Sequence, residues 1–514
     1  MSKRALESPT AVGPTQKRAK RHNDDRLSAL SDELVLRILS FLEVSDLIVC
    51  HGVSHHLCTL SQDSSIWRLL YYRRFIKPRS SRMLKLSRWL HEHQSLTGGR
   101  QTDWKKRYKL SLNWSKGRCD IRTTQVSMVT AVPSPLVRMY KDLLITAQRT
   151  KGLEIWSASA EQELLLSKPW DVGVDNDEHD LGQDLIPTAL TVDSVEAQPD
   201  ILHIAVAFTR SLLTIYKYNV KRRTLDTVRR WSSPGIGAAN MIAMIDRFLV
   251  LLYSGSIELH DLQLLAQEQV STQLQPFPPP LASLRSHIPG GPMALNVRLI
   301  KTSVCVSFAS VEPSIYHGWV AGMQETTWAS DGTLLSCRRA SSPQTGIDRD
   351  PFALPVTDAL PTSLSYNHPY LLTAHADNTL TLFLVSSNGN EIRIGEGQRL
   401  WGHASSVAGA LVNSRGKAIS VTSKGGELRV WDLEGGGESM VMKKRQLAGD
   451  LSVRIAAESV LVGNPKAPSQ VQGTPPSIQY PVRTGEWVDF DDEKVVVLRG
   501  QPEGSHDLVV YDFT

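Results

Sequence analysis

Between residues 30 and 67, apolar and polar positions alternate at the spacing of short amphipathic helices. Leu34, Ile38 and Leu42 recur at every fourth position, which places them on one helical face. Ser31, which precedes this stripe, is expected to cap the helix with its side chain. A segment of about forty residues buries little of its own apolar surface, so we expect it to form one half of an interface.

From residue 119 onward, the pattern changes to short runs of branched and aromatic residues separated by turn signals. Alternation with a period of two around a tight turn predicts paired antiparallel strands, and its recurrence predicts a repeat fold. The hairpins are predicted at 143–156, 202–216, 248–261, 370–383, 418–432 and 494–512.

Each hairpin carries an anchor side chain, usually aromatic, near its end. The gap between residues 260 and 383 has room for one more unit, whose candidate anchor is Cys337 after Asp331. The predicted anchors are Trp156, Tyr216, His260, Cys337, Phe383, Trp431 and Tyr511. Seven such units are favoured because they close into a ring that leaves few strand edges exposed, although six or eight are alternatives.

The composition is that of a soluble protein with a substantial core, since 41% of the residues are hydrophobic. No apolar run reaches the roughly 18 residues that a membrane span requires, so no membrane association is predicted. The five cysteines are odd in number and lack metal-binding spacing. They predict free thiols in a reducing compartment and no metal site.

The basic residues are concentrated near the N-terminus. Residues 1–118 hold 23 Lys and Arg against 10 Asp and Glu, whereas the remainder holds 34 against 42. Residues 71–118 form a predicted basic helical connector whose tryptophans Trp89, Trp104 and Trp114 could stack on nucleic-acid bases or anchor the connector to its neighbours. The anchoring role is preferred, and nucleic acid is not an expected partner.

Residues 1–26 are predicted to be a disordered basic tail, because they are polar and contain few apolar side chains. Two cationic clusters in this tail have the spacing of a bipartite nuclear import signal. The clusters consist of Lys3 and Arg4, followed by Lys17, Arg18, Lys20 and Arg21. They predict a nuclear import carrier as a partner and a location in the nucleus, the cytoplasm or both; an ordinary solvated tail is the alternative.

The helical segment at 27–70 resembles an F-box. Leu30, Glu33 and Leu34 match the Leu-Pro-x-Glu-Leu start of that family, with Ser31 in the proline position. The run 38–42 matches its Ile-Leu-x-x-Leu. Further matches are Leu47, Cys50, Val53, Ser54, Ile66 and Trp67.

The β-rich part at 119–514 is similar to a WD-repeat propeller. Gly402-His403 and Trp431-Asp432 bracket one unit in the manner of a WD blade, although Gly425 replaces its internal aspartate. With the connector, the whole chain resembles F-box/WD-repeat proteins. We therefore expect a mainly β fold with an α-helical N-terminal module and a propeller of seven blades.

This resemblance implies a substrate receptor of an SCF-type ubiquitin ligase, a non-catalytic subunit without a cofactor. The F-box would dock an Skp-family adaptor, and through it a cullin, while the propeller would hold a target protein. The residues expected to contact the adaptor are Leu30, Leu34, Ile38, Leu42, Leu47, Val53 and Trp67. A scaffold that works without a ligase and a nuclear nucleic-acid or chromatin binder are the alternatives.

Target recognition is expected at the turns that precede the third strand of each blade. Related receptors read phosphorylated peptides with arginines from these turns, and a guanidinium group donates paired hydrogen bonds to phosphate. The corresponding residues here are Arg149, Lys151, Arg210 and Lys424. The alternative is that exposed turns often carry Lys or Arg without any binding role.

Overall fold

The structure is a computed structural model that divides the chain into two compact units. Among the described residues, the first unit comprises 30–74 and 103–108, and the second comprises 75–77 and everything from Lys109 onward. The predicted tail and its import clusters lie outside the described residues. The described ranges are 30–77, 103–127, 134–159, 162–170, 185–194, 200–232, 237–262, 275–286, 291–314, 318–343, 359–389, 391–423, 427–433, 452–455, 487–500 and 505–514.

The first unit is built from short helices, as the apolar spacing predicted. A π-helical turn at Tyr72–Ile76 follows the fourth helix, and the boundary between the two units falls inside the fifth. The helices are α1 (Asp32–Leu39), α2 (Val44–Cys50), α3 (His55–Ser61), α4 (Ser64–Tyr71) and α5 (Trp104–Lys116).

Side-chain capping differs from the prediction at the first helix. Ser31 occupies the N-cap position of α1, but its side chain makes no capping hydrogen bond. Instead, its carbonyl accepts the backbone N–H groups of Leu34 and Val35. The side-chain caps are at α3, where the Ser54 hydroxyl accepts the N–H of Leu57, and at α4, where Asp63 accepts that of Ser65.

The second unit contains seven antiparallel sheets, which confirms the mainly β fold with an N-terminal helical module and seven blades. Blade 2 also carries the short parallel strand β13 (Gln275–Pro276) on its outer edge. The strands of the first three blades are β2 (Leu136–Tyr140), β3 (Leu143–Gln148), β4 (Gly152–Ser157) and β5 (Leu164–Lys168); β6 (Pro187–Ser194), β7 (Ile201–Phe208), β8 (Leu212–Asn219) and β9 (Thr224–Ser232); and β10 (Met241–Ile245), β11 (Phe248–Leu252), β12 (Ser256–Asp261) and β14 (Ala282–Arg285).

Blades 4 to 6 follow in chain order. Blade 5 has two short outer strands, because β22 and β23 both pair with the long strand β21. Their strands are β15 (Met293–Ile300), β16 (Ser303–Ser314), β17 (Gly318–Trp328) and β18 (Leu334–Ser341); β19 (Ser363–Asn367), β20 (Tyr370–Ala374), β21 (Thr379–Ser387), β22 (Ile392–Ile394) and β23 (Gln398–Trp401); and β24 (Val407–Val412), β25 (Lys417–Thr422), β26 (Leu428–Asp432) and β27 (Ser452–Ile455).

Blade 7 joins the two ends of the propeller sequence. Its inner three strands are β28 (Trp487–Phe490), β29 (Lys494–Gly500) and β30 (His506–Asp512). Its outer strand is β1 (Asp120–Ser127), which pairs antiparallel with β30. The innermost strands of neighbouring blades contact one another around the ring, and β28 contacts β2. The ring is therefore closed by strand pairing between distant parts of the chain.

The six predicted hairpins are all confirmed as the second and third strands of a blade, but the anchor of blade 4 was predicted wrongly. Cys337 lies on the outer strand β18 and is exposed. The residue in the anchor position is Trp328, which is buried and pairs with Val304, the second residue of β16. Trp431 pairs in the same way with Ala418, the second residue of β25.

The connector predicted at 71–118 is described only at its two ends, and both ends are helical. At the second end, the Trp114 indole is buried and donates a hydrogen bond to the Asp492 carbonyl at 2.8 Å. The Asn113 amide donates to the Phe513 carbonyl at 2.8 Å. These bonds support the anchoring role for Trp114, whereas Trp89 lies outside the described residues.

Candidate functional site

The first unit has a small core that fills its own interior. Val35 and Leu39 of α1 are buried against Leu47 of α2, Leu60 of α3 and Ile66 of α4. These five side chains come from four helices, so each helix is held by burial of at least one aliphatic residue. No partner is needed to complete this core.

A second set of apolar side chains on the same helices faces solvent. Three of these residues lie on one helical stripe that starts on α1 and continues just beyond the end of that helix. The other three lie on α2 and in the turn that follows α2. The set consists of Leu34, Ile38, Phe41, Ile48, Val49 and Val53, whose exposed fractions lie between 45% and 68%. We call it the exposed apolar set. So many large exposed hydrophobic residues on such a small module make this surface the candidate site for a protein partner.

The seven residues predicted to contact an adaptor fall into three groups. Leu34, Ile38 and Val53 belong to the exposed apolar set. Leu30 and Leu42 are half-buried at the edge of the core. The remaining two, Leu47 and Trp67, are 0% and 3% exposed, so they build the module itself.

Trp67 has its own partners inside the first unit. Its indole N–H donates to the Ser61 carbonyl at 2.8 Å, and the Tyr108 ring meets its edge with centroids 5.6 Å apart. These contacts fix α4 against α3 and the start of α5. Phe41, Ile48 and Val49 were not among the predicted contact residues, although the helical spacing from Ile38 to Phe41 places Phe41 on the same stripe.

Three of the four predicted target-binding residues, Arg149, Lys151 and Arg210, lie in turns of the propeller. Arg149 and Lys151 lie in the same turn between β3 and β4, and Arg149 is exposed. The ammonium group of Lys151 donates a hydrogen bond to the Val126 carbonyl of β1. Arg210 belongs to the short helical turn Thr209–Ser211 between β7 and β8. Lys424 lies outside the described residues, so convergence of the four into one pocket stays a prediction.

In blade 6, His403 of the Gly-His pair and Trp431 of the Trp-Asp pair belong to a buried polar network. The Trp431 indole donates to the Ser420 hydroxyl at 2.7 Å, and His403 Nε2 lies 2.5 Å from the same oxygen. His403 Nδ1 is 3.5 Å from a carboxylate oxygen of Glu427. Burial lowers the pKa of His403 to about 4, so the imidazole is neutral near pH 7. His403 is therefore a structural residue of blade 6.

The described residues contain no group of three or more side chains placed to hold a metal ion. Within the same ranges, no helix has the length and apolar character needed to cross a membrane. All five cysteines are described and are free thiols.

The helical module and the closed ring of seven blades define an F-box protein with a β-propeller. Models of two families match the chain: "F-box-like" at residues 29–73, and "F-box protein pof12 beta-propeller" at residues 119–514. The chain belongs to the F-box protein pof12 β-propeller family.

Among curated proteins, the chain is similar to F-box protein pof12 of Schizosaccharomyces pombe, with 41% identity over 64 residues. This alignment covers 12% of the present chain and only 14% of the relative. Among solved structures, the chain is similar to the WD40 β-propeller domain of Doa1 (10% identity, 76% of this chain and 95% of that chain, TM-score 0.37). It is also similar to Kluyveromyces lactis Hsv2 (10% identity, 73% and 97%, TM-score 0.38).

Proposed function

We propose that this protein is the substrate-recognition subunit of an SCF-type ubiquitin ligase. F-box domains generally bind Skp-type adaptors, and the chain joins an F-box to a propeller. The observation that carries the proposal is the exposed apolar set, because these side chains remain in solvent although the core of their module is already filled. An adaptor helix pair that covers them would remove apolar surface from water.

In this proposal the protein performs no bond chemistry. The F-box binds the adaptor, which links it to a cullin, and the propeller holds a target protein nearby. Ubiquitin transfer is then accelerated because the target's lysines are held at high effective concentration near the charged ubiquitin carrier.

The adaptor-binding step can be tested by co-purification of the full chain with an Skp-family adaptor and a cullin. The variant Ile38→Glu/Val49→Glu places two charges in the exposed apolar set and is expected to lose both partners. The control Leu164→Glu/Leu335→Glu makes the same change at two exposed propeller residues and should retain them. Retention of the adaptor by the first variant would refute the proposed surface.

The same experiment separates the ligase from a scaffold. Capture of the adaptor without a cullin, under conditions in which another F-box protein captures both, would favour the scaffold. Deletion of residues 28–70 should remove both partners while leaving any propeller ligand bound.

For target recognition, we propose the turns that carry Arg149, Lys151, Arg210 and Lys424. Guanidinium and ammonium groups at these positions would suit phosphorylated or acidic segments of a target. The triple variant Arg149→Ala/Arg210→Ala/Lys424→Ala is expected to lose targets that co-purify after proteasome inhibition and to keep the adaptor. Unchanged target capture by this variant would remove the hypothesis.

For localisation, we propose nuclear import through the two cationic clusters of the N-terminal tail. A fluorescent fusion in which Lys17, Arg18, Lys20 and Arg21 are changed to Ala should shift towards the cytoplasm. An unchanged distribution would mean that the tail does not act as an import signal.

A further inference from the structure

Cationic side chains in the first unit lie over aromatic rings of α4, of the π-helical turn after it and of α5. The Arg68 guanidinium lies 5.8 Å from the centre of the Trp104 ring and 6.0 Å from that of Tyr72. Arg107 lies 5.4 Å from the Trp104 ring and 5.2 Å from that of Tyr71. Two arginines thus share one indole, and we call these five residues the Trp104 cluster.

Positive charge accumulates around this cluster. The described residues 64–74 and 103–108 contain a single acidic side chain, Asp103, whose carboxylate accepts the backbone N–H of Lys106 at 3.0 Å. The cationic residues of these two ranges are Arg68, Arg73, Arg74, Lys105, Lys106 and Arg107. Among the described residues, no carboxylate forms an ion pair with Arg68, Lys105 or Arg107.

The ring contacts prepare the two guanidinium groups for an anionic ligand. An arginine whose guanidinium group lies over an aromatic ring loses side-chain freedom, yet it keeps N–H donors for a ligand. Arg68 is exposed and Arg107 is half-buried, so both can reach a ligand while part of each remains shielded from water. A carboxylate is the natural partner, because it accepts two parallel N–H bonds from such a fork.

We propose that the Trp104 cluster, with Lys105 and Lys106, binds an acidic segment of a partner protein. Charge complementarity selects the partner, because Arg68, Lys105 and Arg107 form no ion pair among the described residues. The proposal does not depend on adaptor binding by the exposed apolar set, so either can fail without the other.

The aromatic residues favour an acidic polypeptide over nucleic acid. Binding of single-stranded nucleic acid uses free ring faces on which bases stack. Here Trp104 is flanked by Tyr71 and Tyr72, with ring centroids 5.6 and 6.4 Å away, and by both arginines. These contacts use the ring internally and leave the guanidinium edges as the available donors.

The test measures binding of a fluorescein-labelled oligo-glutamate peptide to the full chain by fluorescence anisotropy, with an oligo-glutamine peptide as the uncharged probe. The wild type should bind only the glutamate peptide. Arg68→Gln/Arg107→Gln should weaken that binding about tenfold, and Arg68→Lys/Arg107→Lys, which keeps the charge without the fork, about threefold. The control Arg222→Gln/Arg285→Gln removes two exposed propeller arginines and should leave binding unchanged.

Three results would overturn the proposal: glutamate binding unaffected by Arg68→Gln/Arg107→Gln, equal weakening by the control, or displacement of the peptide by single-stranded DNA that binds more tightly. A second measurement on the wild type does not depend on variant folding. Carbodiimide cross-linking joins peptide carboxylates to nearby lysine amines, and the products should map to Lys105 and Lys106. Cross-links confined to propeller lysines would place the peptide elsewhere and refute the site.

Discussion

The Trp114 indole stacks face-to-face on the Phe513 ring, with centroids 3.9 Å apart and planes 8° from parallel. Trp114 belongs to α5, and Phe513 follows directly after β30. The Lys417 ammonium lies 4.6 Å from the centre of the indole. A residue that precedes the propeller in sequence is therefore part of the core shared by blades 6 and 7.

Trp114→Ala should lower the free energy of unfolding of the propeller by about 3–5 kcal/mol, because it removes a buried aromatic side chain and leaves a cavity. The Asp492 carbonyl would also lose its donor. Urea denaturation followed by circular dichroism measures the change. Lys116→Ala, at an exposed position of the same helix, is the control; equal loss in both variants would show that the helix, rather than the indole, is responsible.

The reassigned anchor of blade 4 gives a second prediction. Trp328→Ala should cost about 3–5 kcal/mol of unfolding free energy, since Trp328 is 2% exposed and packs in the core between blades 3 and 4. Cys337→Ala, at the position that the sequence pattern favoured, should leave the urea midpoint nearly unchanged because Cys337 is exposed. The reverse order of effects would restore Cys337 as the anchor.

A buried carboxylate links blade 4 to blade 5. Glu325 is fully buried; it pairs with Arg298 at 2.6 Å and Arg338 at 2.5 Å, and it accepts a hydrogen bond from Ser387 of blade 5 at 2.7 Å. Burial alone would raise the pKa of Glu325, but the Ser387 hydroxyl and the two guanidinium groups hold it below its ordinary value. The side chain is therefore an anion that neutralises two arginines.

Glu325→Gln should destabilise the propeller by about 3–5 kcal/mol, because two partly buried guanidinium groups lose their counter-ion. Thermal unfolding measures the effect. The matched control is Glu391→Gln, which breaks the exposed pair with Arg393 and should not shift the midpoint detectably. An unchanged unfolding midpoint for Glu325→Gln would mean that water or another group replaces the carboxylate as the partner of the two arginines.

The buried imidazole of His403 predicts a pH dependence. Its pKa is about 4 in the folded protein, because burial disfavours the charged form more than nearby Glu427 favours it. The unfolded chain binds this proton near pH 6.5, so stability due to His403 falls as the pH drops from about 6.5 to 4. The expected slope is about 1.4 kcal/mol per pH unit.

His403→Asn tests this by removing the titrating group. The variant should be less stable than the wild type at pH 7, where it lacks the contact with Ser420, and the gap should narrow as the pH approaches 4. His55→Asn, at an exposed residue of α3, should leave the pH profile unchanged. A gap that stays constant from pH 7 to 4 would contradict the assignment of a neutral buried imidazole.

The sequence predicted the parts of the propeller in which the apolar alternation of two strands and the turn residues between them occur together. In six blades, the alternation of the second and third strands and the turn residues between them mark the hairpin. The hairpin of blade 4 was not predicted, because its two central strands are 12 and 11 residues long. Its Asp331-Gly332 turn signal lies between the third and fourth strands instead. The pairing of β1 with β30 has no local signal at all.

In the helical module, periodicity predicted the helices but could not fully separate core from surface. Val35 and Leu34 are adjacent on a broad apolar stripe, yet Val35 is buried and Leu34 is exposed. The same ambiguity applies to Leu47, a predicted contact residue that is fully buried, and to its neighbour Ile48, which is exposed and was not among the predicted residues. Only tertiary packing decides which half of such a stripe turns inward.

The pairing of β1 with β30 also orders events during synthesis. Strand β1 leaves the ribosome before any other propeller strand, but its partner is made last. The first six blades can form while β1 is still unpaired. The ring closes only when β1 pairs with β30, which joins the two ends of a loop that spans the whole propeller, and this step has a high entropic cost. Until blade 7 closes, both edges of the incomplete ring expose unpaired strands that can pair with other chains. The rate of this closure should therefore determine how long the new protein is prone to aggregation.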